Sequence, residues 1–510
     1  MFSINTDTLA YTCLALAAVI FLRAVLTAHH DPLKDLPGPF VSRHMILAIS
    51  AGFWAICTGE ISNLSQTNHA LSLKYGPIVR LSPRSVLILD LDAFAAIYRM
   101  GSAFRKAREH ESVTFGGEAN IFSMRDKQQH SARRRLYARA FTASSLRSRW
   151  EPAVRATAEA AVASIRRHAE QDGAADVYRL WKFMTADVIS RLAFGESFGM
   201  VERDGDGHEA DEPYFEAIDD WTVKISLKVA STKFLGLLRL LPSKRLRKID
   251  RSEDILLRRA SRAVETMRRQ QTEEADGNRA QSLFTSALAL ADDKDDVSIS
   301  DGSIRSDATV FMFAGTDTTS TTLTYLVWAV LRRPDLQRRL EDEVASLPVD
   351  FNEEDAEALP LLDRVLRETL RLYGPANSVL PRMVPAEGVT MLGHYLPPGT
   401  KVFTQAWSYH RLPDVFPNPD EFDETRWIEP TRDMKRAFTP FGTGSRSCIG
   451  VNLAWMELRL AAALFFRECR GAMMADTTTE RDMEQKMQFI LMPVGGRCEI
   501  KLPAKGLAGE

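Results

Sequence analysis

The chain has 510 residues, 45% of them hydrophobic and 26% charged, an ordinary globular composition with ample material for a large core. Its 65 basic and 67 acidic residues leave a net charge of -2, so no basic excess points to nucleic acid. Five cysteines (Cys13, Cys57, Cys448, Cys469 and Cys498), an odd number without CxxC spacing, exclude a disulfide framework and a zinc site and fit a reducing compartment.

From Leu9 to Leu26 the run "LAYTCLALAAVIFLRAVL" is apolar apart from Arg23. It comes close to the ~20 residues that cross a bilayer if that arginine snorkels to the headgroups. A cleaved signal peptide would want positive charge before the run, and "MFSINTDT" carries none. Arg23 near the end of the run, with Lys34 and Arg43 after it, places the body on the cytosolic side. Pro37 and Pro39 in "LKDLPGPF" make a stiff exit from the membrane. Residues 1–35 are therefore expected to be a single-pass anchor and hinge, and residues 36–510 the body. A second uncharged run, Met45 to Cys57, is too short to span and either rests on the membrane surface or packs in the core.

In the body, "KYGPIVRLSPRSVLILD" alternates between turn signals and predicts a β-hairpin. Helical apolar spacing covers residues 150 to 200, 250 to 271, 303 to 332, 335 to 346, 360 to 373 and 450 to 468. "VERDGDGHEADEP" and "ADDKDDVSISDGS" read as solvated loops, and residues 381 to 402 return to short strands. No linker or repeat interrupts residues 60 to 500, so one mainly α unit with a small β region is expected.

The chemistry concentrates in "TPFGTGSRSCIGVNLAWMELRL". Gly442 and Gly444 permit a tight turn whose backbone can approach a flat ligand, and Gly450 lets the following helix begin close by. Cys448 is thereby held at a helix N-terminus, where free N–H groups favour the metal-ligating thiolate. Arg446 is placed to pair with a carboxylate on the ligand. A lone cysteine without context is usually a buried structural one. The loop also fails as a dinucleotide site, since Ser447 stands where a third glycine belongs. The phrase F-x-x-G-x-R-x-C-x-G at Phe441, Gly444, Arg446, Cys448 and Gly450 resembles the heme-binding loop of the cytochrome P450 family, in which the cysteine thiolate is the axial iron ligand.

Other segments extend the resemblance, from about Tyr75 to Cys498. In "FAGTDTTS" a glycine, an acid and several β-branched residues are poor choices for a helix interior and alone would read as a kinked core helix. Beside a heme, Ala314 and Gly315 leave room for dioxygen, while Asp317 and Thr318 relay protons. "LRETLRLYGP" places Glu368 and Arg371 three apart on an inward face and resembles the family's structural pair. The same spacing at Glu265/Arg268 and Glu429/Arg432 reads as solvated. "FDETRW" supplies Arg426 as third partner, although Glu424 and Thr425 replace the usual proline and glutamate. His130 and Arg134 in "HSARRR", and Arg382 in "LPRM", resemble the family's contacts to the heme carboxylates. Arg133 and Arg135 read instead as a solvated basic face that could meet an electron donor.

The resemblance implies a mainly helical fold with a small β region, an N-terminal transmembrane helix, and heme b bound between the Asp317 helix and the Cys448 loop. It implies a monooxygenase that inserts one atom of O2 into a hydrophobic small molecule by hydroxylation, epoxidation or multistep oxidation. No flavin or ferredoxin module is fused, so a separate NADPH-cytochrome P450 reductase on the endoplasmic reticulum membrane is the expected electron source. The pattern is similar to fungal members that tailor secondary metabolites (mycotoxins, polyketides, terpenoids or alkaloids). Substrate contacts are implied for residues 113 to 121, Phe313, 376 to 379 and 489 to 491. The alternatives are an oxygen-independent heme-thiolate isomerase or dehydratase, whose relatives usually lose the acid-threonine pair kept here, and a non-catalytic heme carrier.

Overall fold

The structure, a computed structural model, describes residues 31–43, 63–204, 212–230, 243–273, 282–292, 299–378, 380–487 and 489–503. The expected anchor Leu9–Leu26 and the Met45–Cys57 run lie outside them, and among the described residues no helix is long and apolar enough to cross a membrane. The chain divides into two compact units, residues 1–107 with 379–405 and residues 108–378 with 406–510.

The smaller unit is built on a sheet of β1 (Ile78–Ser82), β2 (Ser85–Ile88), β3 (Arg105–Lys106), β4 (Arg382–Met383) and β5 (Lys401–Phe403), in the order β1-β2-β5-β4-β3. β1 and β2 form the hairpin that the alternation predicts, with Val79 opposite Leu87. β5 joins β2 in parallel, pairing Val402 with Val86, and these side chains are fully buried. The proline stretch docks on this sheet. Pro37 accepts a hydrogen bond from the Arg80 N–H at 2.8 Å, and the buried Arg80 guanidinium reaches the Leu33 carbonyl at 3.0 Å and the Asp31 carboxylate at 2.5 Å.

The larger unit is helical: α1 (Lys127–Ala138), α2 (Glu151–Gln171), α3 (Val177–Phe194), α4 (Glu212–Ala230), α5 (Lys244–Glu273), α6 (Leu283–Asp292), α7 (Asp301–Leu331), α8 (Pro334–Ala345), α9 (Pro360–Tyr373) and α10 (Val451–Glu468). The single helical stretch expected over residues 150 to 200 is two helices. Gly173 turns the chain at φ +80°, Ala175–Asp176 pairs with Glu499–Lys501, and the Asp176 side chain accepts the Tyr178 N–H to start α3. Apolar spacing continues across this break, so periodicity alone passes over it.

α7 begins at Ser300, whose hydroxyl accepts the Ser303 N–H at 3.1 Å, and runs unbroken through Phe313–Ser320. It packs against α3, α5, α9 and α10. α10 buries Leu453, Met456, Leu460 and Leu464, each contributing about 1.5–3 kcal/mol on leaving water. Those contacts fix the helix that Cys448 precedes.

Candidate active site

Between Phe441 and Gly450 the chain folds back on itself. The Cys448 N–H donates to the Phe441 carbonyl at 2.9 Å, and Gly442 and Gly444 take the left-handed values φ +65° and +69° that the tight turn demands. Gly450 is the N-cap of α10. The Cys448 side chain has an accessible surface, although protein crowds closely around it. Burial pushes the thiol above its ordinary value, while the Gly450 N–H and the Arg134 guanidinium both favour the thiolate.

Arg134 comes from α1, which starts at Asp126 through side-chain bonds to the Gln128 and Gln129 N–H groups. Its Nη1 donates to the Ser447 carbonyl at 2.8 Å, and among the described residues it pairs with no carboxylate. His130 lies buried one turn earlier on the same helix. Arg446 reaches the carbonyls of Met124, Arg125 and Asp126 at 2.7, 3.2 and 3.3 Å, tying the cysteine loop to the start of α1. Arg133 departs from its expected solvated face. It is buried and bonds Asp307 of α7 at 2.5 Å, because α1 turns successive residues about 100° apart and directs this one inward. Arg135 is exposed, as expected.

On α7, Ala314 is exposed and Thr318, one turn later, is half-buried, in a helix whose other residues nearby are almost all buried. This strip faces open space. The Thr318 hydroxyl donates to the Ala314 carbonyl at 2.8 Å. Two contacts bracket the strip. Phe311 stacks on Phe141 at 5.7 Å, and Phe141 lies beside Gly450; Thr319 bonds Glu457 of α10 at 3.0 Å. Gly315 has a packing reason. A Cβ there would stand 2.6 Å from Cγ1 of Ile189, so its missing side chain admits α3.

Asp317 turns to the other side. It is fully buried, with Lys182 Nζ 3.7 Å from Oδ1 and, among the described residues, no hydrogen bond to either oxygen. Burial raises its carboxyl to about 6, against the pull of Lys182. Lys182, itself buried, also lies 3.3 Å from the half-exposed Asp219. The adjacent residues Asp317 and Thr318 therefore occupy different environments.

Glu368 and Arg371 are completely buried and bonded twice, at 2.7 and 2.8 Å. Arg371 also donates to the carbonyls of His410, Pro419 and Glu421, and Glu368 accepts from the Asp423 N–H and the Trp427 indole. Arg426 Nε lies 3.4 Å from Glu368, while its Nη atoms bond the Pro417 and Asn418 carbonyls. The Glu424 and Thr425 departures leave that arginine in place, since Asp423 caps the turn at Thr425. Glu265, Glu429 and Arg432 are exposed, as expected.

His410 was not singled out by sequence reasoning. Its Nε2 accepts the Thr439 N–H at 3.0 Å, so Nδ1 carries the proton to the Arg371 carbonyl at 2.9 Å. The pair on α9 is thus linked to the chain entering the cysteine loop. Glu457, also missed, had one signal: an acid among apolar residues of "LAWMELRLAAALFF".

Of the positions expected to contact substrate, Phe115, Phe313 and Phe489 lie in one cluster of rings with Trp221 and Phe122, which the sequence did not single out. Trp221 packs on Phe115 at 4.7 Å and Phe313 at 4.5 Å, and Phe489 lies 6.0 Å from Phe313 and from Phe122. Val379 lies outside the described residues. Arg382 belongs to the smaller unit, where its buried guanidinium lies over Tyr98 and, among the described residues, meets no carboxylate. A cavity of about 390 Å³ between Phe198, Tyr214 and Arg259 contains none of these residues.

Residues 53–500 match the family described as Cytochrome P450. Cytochrome P450 monooxygenase aflV of Aspergillus parasiticus is 37% identical over 490 residues, 94% of this chain and 93% of that protein. Cytochrome P450 monooxygenase stcB of Emericella nidulans is 36% identical over 490 residues (94% and 90%), and tazI of Aspergillus terreus 36% over 488 (95% and 97%).

Proposed function

Because the chain belongs to the cytochrome P450 family and is a P450 monooxygenase, we propose that Cys448 holds the iron of heme b as a thiolate and that the Ala314–Thr318 strip forms the oxygen side of the site. The residues fit such a group. The Cys448 thiol is accessible, and Arg134 beside it is a partly buried cation that, among the described residues, meets no carboxylate, suited to a ligand that carries its own. Arg134, Arg446, His130 and Arg382 are assigned to the heme carboxylates, and Phe441, Gly442 and Gly450 to the surface under the ring. The accessible Cys448 thiol at the head of α10 carries the reading.

Heme-thiolate iron supplies O2 activation and transfer of one oxygen atom to the substrate, with electrons from NADPH. The protein supplies position and protons. Thr318 presents a hydroxyl on the open strip. Asp317, raised to about 6, exchanges a proton near neutrality, and Lys182 connects it to the half-exposed Asp219. Gly315 serves the approach of α3, so room for oxygen falls to Ala314. The rings of Phe122, Phe313 and Phe489 favour a hydrophobic substrate, oxidised in fungal secondary metabolism. The electron donor is NADPH-cytochrome P450 reductase, and residues 1–35 anchor the protein in the endoplasmic reticulum membrane with the body in the cytosol.

Cys448→Ala tests the assignment. The reduced carbon monoxide complex of the native protein is expected to show the thiolate-type spectrum, and the variant to lose that spectrum or its heme. A variant that keeps it removes Cys448 as ligand.

A further inference from the structure

Along α7 the hydroxyls of Thr309, Thr316, Thr318, Ser320, Thr322 and Thr324 each donate to the carbonyl four residues earlier. Thr319 and Thr321 break the series: the Thr321 hydroxyl has no hydrogen-bond partner among the described residues, whereas Thr319 Oγ1 leaves the Gly315 carbonyl and crosses to Oε2 of Glu457 on α10 at 3.0 Å. Glu457 is 2% exposed and its other oxygen, Oε1, has no hydrogen-bond partner among the described residues.

Most charged groups on the elements packed around α10 are engaged elsewhere, and Arg364 of α9, whose buried Nε has no hydrogen-bond partner among the described residues, does not act on Glu457, whose carboxyl is moved only by burial and by the Thr319 hydroxyl. Arg459 of α10 itself and Arg147 from the Ala143–Arg149 helix bind Glu353 and Glu357. Arg367 of α9 binds Asp363, Arg166 of α2 binds Glu468, and Glu341 of α8 accepts from Gln337 and the Gly471 N–H. Asp317 of α7 is paired with Lys182. With no cation to offset it, an ionised carboxylate at this depth is strongly disfavoured, and burial raises Glu457 to about 8.

We propose that Glu457, as a neutral acid, is a positioning residue for oxygen activation: it pins Thr319 to the helix that Cys448 heads and so fixes the rotation of the Thr318–Ala314 strip over the site. The inference rests on the assignment of Cys448 and Thr318 above. Its physical basis is that Thr319 has a local alternative. Without Glu457 the hydroxyl returns to the Gly315 carbonyl, as its neighbours do, and the polar tether between α7 and α10 is lost. Phe311 on Phe141 holds the strip beside Gly450, so losing Thr319 leaves an apolar contact but no polar one between this part of α7 and α10.

The test uses the heme-loaded full chain with Glu457→Gln, Glu457→Leu, Thr319→Val and the Leu/Val double variant. Two measurements are made: the C–O stretching frequency of the reduced carbon monoxide complex, which reads the polar surroundings of the oxygen side, and the thermal midpoint from pH 5 to 8. Glu457→Gln is expected to keep the native frequency. Glu457→Leu and Thr319→Val are expected to shift it by the same amount, and the double variant no further. The sign of the pH effect follows from a carboxyl raised in the folded state: its stabilisation is complete below about 4.5 and disappears as pH rises through about 8. The midpoint of Glu457→Gln relative to the native chain should therefore rise across that range. The proposal is overturned if Glu457→Leu lowers the midpoint but leaves the frequency unshifted, if the double variant shifts it by the sum, or if the Gln variant shows no pH-dependent difference. A native chain without the thiolate spectrum overturns instead the assignment on which the proposal rests.

Discussion

Thr318 and Gly315 are three positions apart on α7 and fail differently when changed. The Thr318 hydroxyl already has a backbone partner, so Thr318→Ala leaves no buried group unsatisfied. Heme content and the substrate-induced spectral change should persist, while product formation falls on the scale of about 10²- to 10⁴-fold that a positioned proton donor contributes. NADPH consumption should fall less, the difference appearing as hydrogen peroxide. The ratio of product to NADPH with a common reductase measures this, and an unchanged ratio would reduce Thr318 to a helix residue. Gly315→Ala forces its Cβ to 2.6 Å from Ile189, an overpacking that costs about 1–3 kcal/mol. Ile189→Ala in the same chain should restore part of the lost thermal midpoint.

At the scale of elements, the buried bonds around α9 determine how the cysteine loop is approached. Glu368→Ala leaves the Arg371 guanidinium buried beside three carbonyls with no counter-charge, a loss of about 3–5 kcal/mol. Denaturant unfolding should register it, or the variant should fail to accumulate folded. His410 adds an acid limit. Burial lowers it to about 3, so it stays neutral when folded but gains a proton on unfolding. The stability it contributes is present above about 6.5 and disappears as pH falls towards 3. In His410→Gln the loss of stability over that interval should be shallower. These elements also show what a sequence discloses. Glu368, Arg371 and Cys448 were legible because their chemistry demands particular residue types at short spacing. Arg133, His410 and Glu457 were not, because their partners stand 174, 29 and 138 positions away and only folding brings them together. The β1–β2 hairpin was visible in its alternation, whereas the break between α2 and α3 was masked by continuous apolar spacing.

For the whole molecule, a chain lacking residues 1–30 keeps the Asp31 and Leu33 contacts to Arg80 that dock the proline stretch on the sheet. It should remain folded and bind heme, and pellet less with membranes than the full chain; unchanged pelleting would move the contact to another surface such as Met45–Cys57. The same separation of framework from function operates in the loop before α1. Ile121 donates its N–H to Asp307 at 2.7 Å, which Arg133 and Tyr137 also grip, and Phe115 and Glu118 are held through main-chain atoms by Ser306. Asn120 bonds the Val113 carbonyl and the N–H groups of Phe122 and Ser123. Nearly all of these tethers on the loop grip peptide groups, which every amino acid brings. The loop can therefore exchange Phe122 or Ile121 for another side chain without losing its path. On the proposal that this loop meets the substrate, such a scaffold lets a lineage drift from one compound to another by single substitutions, each arriving in a protein that still folds.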